Sequence, residues 1–150
     1  MGSSFLVAVR DLLGGIGQQP AKGRRDCLAY SILIVDDSAV IRRTLRSCFE
    51  QNIAWKVCGE AANGREAIEK AQQLRPDLIV LDLSMPILNG LEAAHELRRI
   101  SPSVPLLLFT SFKTPNLEQE AVAAGCSAVI SKSELPLLLS SIHRLLTPRC

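Results

Sequence analysis

The 150-residue sequence is poor in aromatics, with one Trp, one Tyr and four Phe, so no surface for stacking nucleobases is expected. Charge of one sign is also lacking. Lys plus Arg total 17 against 15 Asp plus Glu, and a formal charge of +2 gives no whole-molecule field for nucleic acid or an anionic membrane. Nine glycines and eight prolines are too few for collagen-like or linker-like chain. The cysteines (Cys27, Cys48, Cys58, Cys126 and Cys150) include no C-x-x-C pair. An odd, scattered set suits reduced thiols better than a disulfide framework or a zinc site. Cys48, Cys58 and Cys126 lie among apolar neighbours, where a thiol acts as a small hydrophobe. No apolar run approaches the roughly 18 residues of a membrane helix. The early run at 5–9 is cut off by Arg10 and Asp11, too soon for the core of a secretory signal. What remains, 47% hydrophobic and 21% charged, is the composition of one soluble folded domain, expected in the cytoplasm without membrane insertion.

Two regions differ along the chain. In the extension 1–30, Phe5, Val9, Leu12 and Leu13 could share one face of a short helix, and the Gly14-Gly15-Ile16-Gly17 stretch beyond it reads as flexible linker. From 31 to 148 the pattern is regular. Ile32-Leu33-Ile34-Val35 is a wholly apolar, branched run, as a strand buried on both faces would be. Ile41, Leu45, Cys48 and Phe49 follow at helical spacing. A second strand is expected over 57–61, then a helix opened by a capping-box-like pair, Asn63 and Glu66. Leu78-Ile79-Val80-Leu81 is a third strand, followed by a helix through Leu91, Ala94 and Leu97. Leu106-Leu107-Leu108-Phe109 is a fourth. Thr114-Pro115 starts a helix that Gly125 ends, with proline at the entrance and glycine at the exit. Ala128-Val129-Ile130 is the fifth strand. Ser133 is expected to cap a last helix carrying Leu135, Leu138, Leu139, Ile142, Leu145 and Leu146.

Five strand–helix units in strict alternation predict an α/β fold, a doubly wound parallel sheet with right-handed crossovers and helices on both faces. Ligands of such sheets sit beyond the carboxyl ends of the strands. The residues there are Asp36 and Asp37, Asp82, Thr110 and Lys132, while Gly59-Glu60 ends an outer strand and offers no chemistry. Clustered carboxylates repel unless a cation sits among them, and an all-oxygen set suits Mg²⁺. A carboxylate beside Mg²⁺ can attack phosphorus to give an aspartyl phosphate, with a lysine and a hydroxyl steadying the transferred oxygens.

From about Ser31 to Leu146 the chain resembles the receiver domain of bacterial response regulators, the CheY-like fold. The resemblance rests on Ile32-Leu33-Ile34-Val35-Asp36-Asp37-Ser38, Pro76-Asp77-Leu78-Ile79-Val80-Leu81-Asp82, Met85-Pro86 with Asn89-Gly90, and then Thr110 and Lys132. Gly59-Glu60-Ala61 with Asn63-Gly64-Arg65-Glu66-Ala67 is nearest in texture to receivers of LuxR-type regulators. The resemblance implies a flavodoxin-like (βα)5 sheet in strand order 2-1-3-4-5. It implies that Asp82 is the phosphoacceptor, served by a histidine kinase or phosphotransfer protein. It further implies Mg²⁺ ligation by Asp37, by Asp36 through water, by Asp82 and by the Ser84 backbone carbonyl, with Thr110 and Lys132 contacting the phosphoryl group. Such a module signals by protein docking and is not a turnover enzyme.

Three departures stand out. Val129 occupies the position where the family usually places a switch aromatic, Ser133 rather than proline follows Lys132, and no output domain is visible before Cys150. Competing functions fit less well. A haloacid-dehalogenase-like phosphatase needs an acid two residues beyond its nucleophile, where this chain has Ser84. A DNA-binding regulator needs a helix-turn-helix region, so direct DNA binding is expected only if the chain is a fragment. A flavodoxin-like cofactor carrier would not place two acids where phosphate sits. Elsewhere, His95 is expected on a solvated face, His143 on the last helix, Trp55 in packing before the second strand, and Arg42, Arg43 and Arg46 in a basic patch.

Overall fold

Alternation of branched apolar runs with amphipathic segments produces a five-stranded, wholly parallel sheet, here in a computed structural model that describes residues 29–146. The elements are β1 (Tyr30–Val35), α1 (Ala39–Phe49), β2 (Trp55–Ala61), α2 (Gly64–Leu74), β3 (Leu78–Leu81), α3 (Gly90–Ile100), β4 (Leu106–Thr110), α4 (Pro115–Ala124), β5 (Ala128–Ser131) and α5 (Leu135–Leu145). The sheet order is β2-β1-β3-β4-β5, as the resemblance implied. The helix expected around Phe5 to Leu13, and Cys27 and Cys150, lie outside the described residues.

Side chains alternate across a strand, so each central strand feeds two cores. Leu33, Val35, Ile79, Leu81, Leu106, Leu108 and Val129 face one layer, made by α2, α3 and α4. That layer meets the sheet largely through small residues: Ala67, Ala71, Ala93, Ala94, Ala121 and Ala124. Ile32, Ile34, Leu78, Val80, Leu107, Phe109 and Ile130 face the other layer, where α1 and α5 contribute Leu45, Phe49, Leu138, Ile142 and Leu146. Burial on both faces explains why these strands carry no polar alternation.

The caps show where local chemistry differed from expectation. Asn63 accepts the Glu66 amide at 2.9 Å, but the Glu66 carboxylate returns to the Ala62 amide, one residue before the cap. The complete capping box is at Asn89 and Glu92 on α3. Thr114 caps α4 with Pro115 in its first turn, and Gly125 ends it at φ 102°, as the sequence indicated. Ser133 does not cap α5. The helix begins one residue later, after Glu134, with Pro136 in its first turn where a missing N–H costs nothing, and the Ser133 hydroxyl pairs with that of Ser131 at 2.9 Å. Trp55 opens β2 rather than preceding it, and packs edge-on between Phe49 and His143.

Gly90 lets α3 start directly behind the end of β3. Its amide donates to the Leu83 carbonyl at 2.8 Å, and a Cβ there would run into the Asp82 carbonyl. Gly90→Ala is therefore expected to destabilise the fold by about 2 kcal/mol, since backbone cannot yield as a flexible side chain can. Urea unfolding measures it, and an unchanged midpoint would show that α3 tolerates displacement.

Candidate functional site

The carboxyl ends of the central strands bring the sequence-expected residues together. Asp36 and Asp37 follow β1, Asp82 follows β3, Thr110 ends β4, and Lys132 follows β5. Asp36, Asp82 and Thr110 are buried, whereas Asp37 is exposed. Register explains the convergence: Val35 pairs with Leu81, so the acids one step beyond both strands lie side by side. One carboxylate oxygen from each of Asp36, Asp37 and Asp82 falls within 4.8 Å of the others.

Lys132 crosses from the far side of the sheet into this cluster. Its Nζ donates to Asp36 Oδ2 at 2.8 Å and approaches Asp82 Oδ1 at 3.1 Å. Its amide donates to the Thr110 carbonyl at 2.8 Å, which ties the two strand ends together. Burial disfavours the ammonium, but the hydrogen bonds to Asp36 and Asp82 outweigh it and raise its pKa. For Asp82 the balance is opposite. Burial and then the Asp36 charge push its carboxyl above the ordinary range, with Asp37 adding to the rise and Lys132 only partly offsetting it. One lysine does not neutralise three carboxylates. Oxygen donors alone, close together and short of positive charge, fit a hard divalent cation such as Mg²⁺.

The remaining residues sit around this centre. Ser84 shares with Asp37, Leu83, Met85 and Asn89 the wall of an open cavity of about 560 Å³. The Thr110 hydroxyl accepts the Phe112 amide at 3.1 Å, and the Phe112 ring is 70% exposed. Val129 is buried in the core with Leu117 and Ala121, facing α4. His95 and His143 are exposed, and His143 lies against Trp55. Burial raises the Cys126 thiol to about 11, and also raises Cys58, which suits their expected inert roles.

The arginine patch and the end of β2 need correction. Glu60 is not chemically idle: Oε1 accepts Arg42 Nε at 2.9 Å and Oε2 accepts Arg46 Nε at 2.8 Å. Two of the three arginines are thus committed within the fold. Helical spacing could have flagged a pair at 42 and 46, but not the glutamate across from them.

The model of the response regulator receiver domain matches residues 32–143. Chemotaxis protein CheY of Thermotoga maritima is 36% identical over 105 residues, which are 70% of this chain and 87% of that protein. A protein-glutamate methylesterase/protein-glutamine glutaminase of Alkalilimnicola ehrlichii is 43% identical over 102 residues, 67% of this chain but 26% of that protein. The chain thus spans about a quarter of the methylesterase's length. The crystal structure of the response regulator domain of Thermotoga maritima CheB superposes with a TM-score of 0.73 at 30% identity, covering 78% of this chain and 96% of that one.

The raised Asp82 pKa has a consequence for stability. A carboxyl that prefers its proton in the fold costs nothing at acid pH. The cost sets in as pH rises past the unfolded carboxyl's ordinary value, and is complete above the raised folded value. Without divalent cation, Asp82→Asn should melt several degrees above wild type at pH 7, with the gap closing toward pH 3. Equal melting temperatures across that range would mean the charge is already compensated.

Proposed function

Because the chain belongs to the response regulator receiver family, we propose that it is a phosphoacceptor module of a two-component relay, taking a phosphoryl group on Asp82. The observation that carries this is the buried Asp82 carboxylate at the end of the central strand β3, flanked by Asp36 and Asp37 and contacted by Lys132. The donor is a histidine kinase or phosphotransfer protein, and acetyl phosphate can stand in for it.

An Asp82 carboxylate oxygen attacks phosphorus in line and forms the new O–P bond. With acetyl phosphate the P–O bond to the acyl group breaks and acetate leaves with the electron pair, so no proton need move. Mg²⁺ held by Asp36, Asp37, Asp82 and the Ser84 carbonyl would offset the charge of the carboxylates and phosphoryl oxygens. Lys132, already between Asp36 and Asp82, shifts its donors to a phosphoryl oxygen, and the Thr110 hydroxyl holds another. Ser84, two residues beyond Asp82, cannot act as the acid that an alcohol-phosphate phosphatase requires, so the chain does not turn over such substrates. Output comes through protein docking at the face of α4, β5 and α5.

The route to that face differs from an aromatic swing. Valine has a stiff first torsion and little reach, and Val129 is already packed in the core. Thr110 is instead bonded to the Phe112 amide, so drawing its hydroxyl inward pulls the loop after β4.

Two measurements test this. Incubation with acetyl phosphate and Mg²⁺ should add one phosphoryl mass, lost in Asp82→Asn and reduced in Asp37→Ala. Lys132→Ala should slow its addition about a hundredfold. Unchanged labelling of Asp82→Asn would refute the assignment. Amide NMR with beryllofluoride and Mg²⁺ should show large shifts at residues 111–115 and small ones at 129–131. Comparable shifts in both segments would instead place the switch in β5.

A further inference from the structure

Asp36 is fixed at four points. Its amide donates to the Ala61 carbonyl at 3.0 Å, and its carboxylate accepts the Ser38 amide at 2.9 Å and Lys132 Nζ at 2.8 Å. The fourth contact comes from outside the cluster: its backbone carbonyl accepts Arg42 Nη1 at 2.7 Å. Arg42 stands on α1, and its Nε is held at 2.9 Å by Glu60 of the outer strand β2. Glu60 is anchored in turn, its other carboxylate oxygen by Arg46 and its backbone carbonyl by Lys70 Nζ. The Arg46 hydrogen bond, against burial and aided by Arg42, keeps the Glu60 carboxyl below its ordinary pKa, so the clamp is charged at neutral pH.

The carbonyl that Arg42 grips belongs to the peptide unit joining Asp36 to Asp37. That unit is planar, so the direction of its carbonyl sets where the Asp37 nitrogen and Cα lie. Asp37, exposed and at the start of the loop into α1, has no burial to orient it. We propose that Arg42 is a positioning residue for the acidic cluster: clamped by Glu60, it fixes the Asp36–Asp37 peptide and thereby aims Asp37 at the cation site. The spread of the cluster, and so its affinity for a divalent cation, depends on an ion pair reaching in from the sheet edge. Arg46 supplies an internal comparison. It shares Glu60 and adds a bond to Glu50 at 3.2 Å, so among the described residues its guanidinium is held by two carboxylates outside the acidic cluster.

The inference rests on the cation-binding reading above, and one experiment separates the two. Unphosphorylated wild type, Arg42→Ala, Arg42→Lys and Arg46→Ala are titrated calorimetrically with magnesium chloride, and each is melted without metal. Arg42→Ala is expected to bind Mg²⁺ about tenfold more weakly, as loss of an outer partner does at other metal sites. In metal-free spectra its Asp37 amide should shift. Arg46→Ala should lower the melting temperature while leaving both Mg²⁺ affinity and the Asp37 amide unchanged. Arg42→Lys should recover part of the affinity, since an ammonium reaches one acceptor but cannot fork between two. If Arg42→Ala does not fold, Arg42→Lys decides alone: weakened Mg²⁺ binding supports the role, and wild-type affinity overturns it. Equal weakening in Arg42→Ala and Arg46→Ala overturns it too, by marking general loosening of α1 against β2. Wild type that takes no Mg²⁺ overturns both readings, whereas normal wild-type binding with unaltered Arg42→Ala overturns this one only.

Discussion

Crowding of like charge at the ends of β1 and β3 is the constraint to which the rest of the molecule answers. Three carboxylates with oxygens within 4.8 Å of one another repel, most strongly between the buried Asp36 and Asp82. Lys132 opposes this from β5, bonded to two of them, and its own amide is fixed to β4 through Thr110. The ammonium therefore ties the ends of β1 and β3 electrostatically to the end of β5. Its partial compensation leaves Asp82 reluctant to ionise, which is why the same geometry that strains the fold favours a cation.

That arrangement holds because the sheet beneath it is rigid. The three central strands, β1, β3 and β4, have almost no exposed surface, and each sends alternate residues into separate cores. Close-packed layers on both faces leave the strand ends little freedom, and freedom returns only in the loops beyond them. The loop between β3 and α3 shows it. Ile87 there is 70% exposed and adopts φ 69°, a left-handed conformation that a β-branched side chain rarely takes.

Much of this was legible in the residue order. The runs at 32–35 and 78–81, each followed by aspartate, marked both the strand and the carboxylate at its end, because wholly apolar branched segments have few alternatives. Thr114-Pro115 and Gly125 marked their helix correctly because both act through local backbone chemistry. Ser133 misled because a serine ahead of a leucine-rich helix is a general signal, and the actual start was shifted by Pro136 in the first turn. Glu60 was overlooked for a different reason. Its importance lies in two arginines that are 14 and 18 residues away and meet it only after α1 packs beside β2. Periodicity reports a residue's face, not the charge waiting opposite it.

The two layers over the sheet differ in their side chains, and this divides the protein's capacity to accept sequence change. Where α2, α3 and α4 meet the strands through Ala67, Ala71, Ala93, Ala94, Ala121 and Ala124, any replacement but glycine adds volume, and each added carbon levers a helix outward. Where α1 and α5 meet it through Leu45, Phe49, Leu138 and Ile142, large residues can exchange with one another at nearly constant volume. Random variation in this chain would thus drift along the α1–α5 side and stay nearly frozen on the other. Gly90, whose added carbon would meet the Asp82 carbonyl, extends that restriction to the backbone behind the central aspartate.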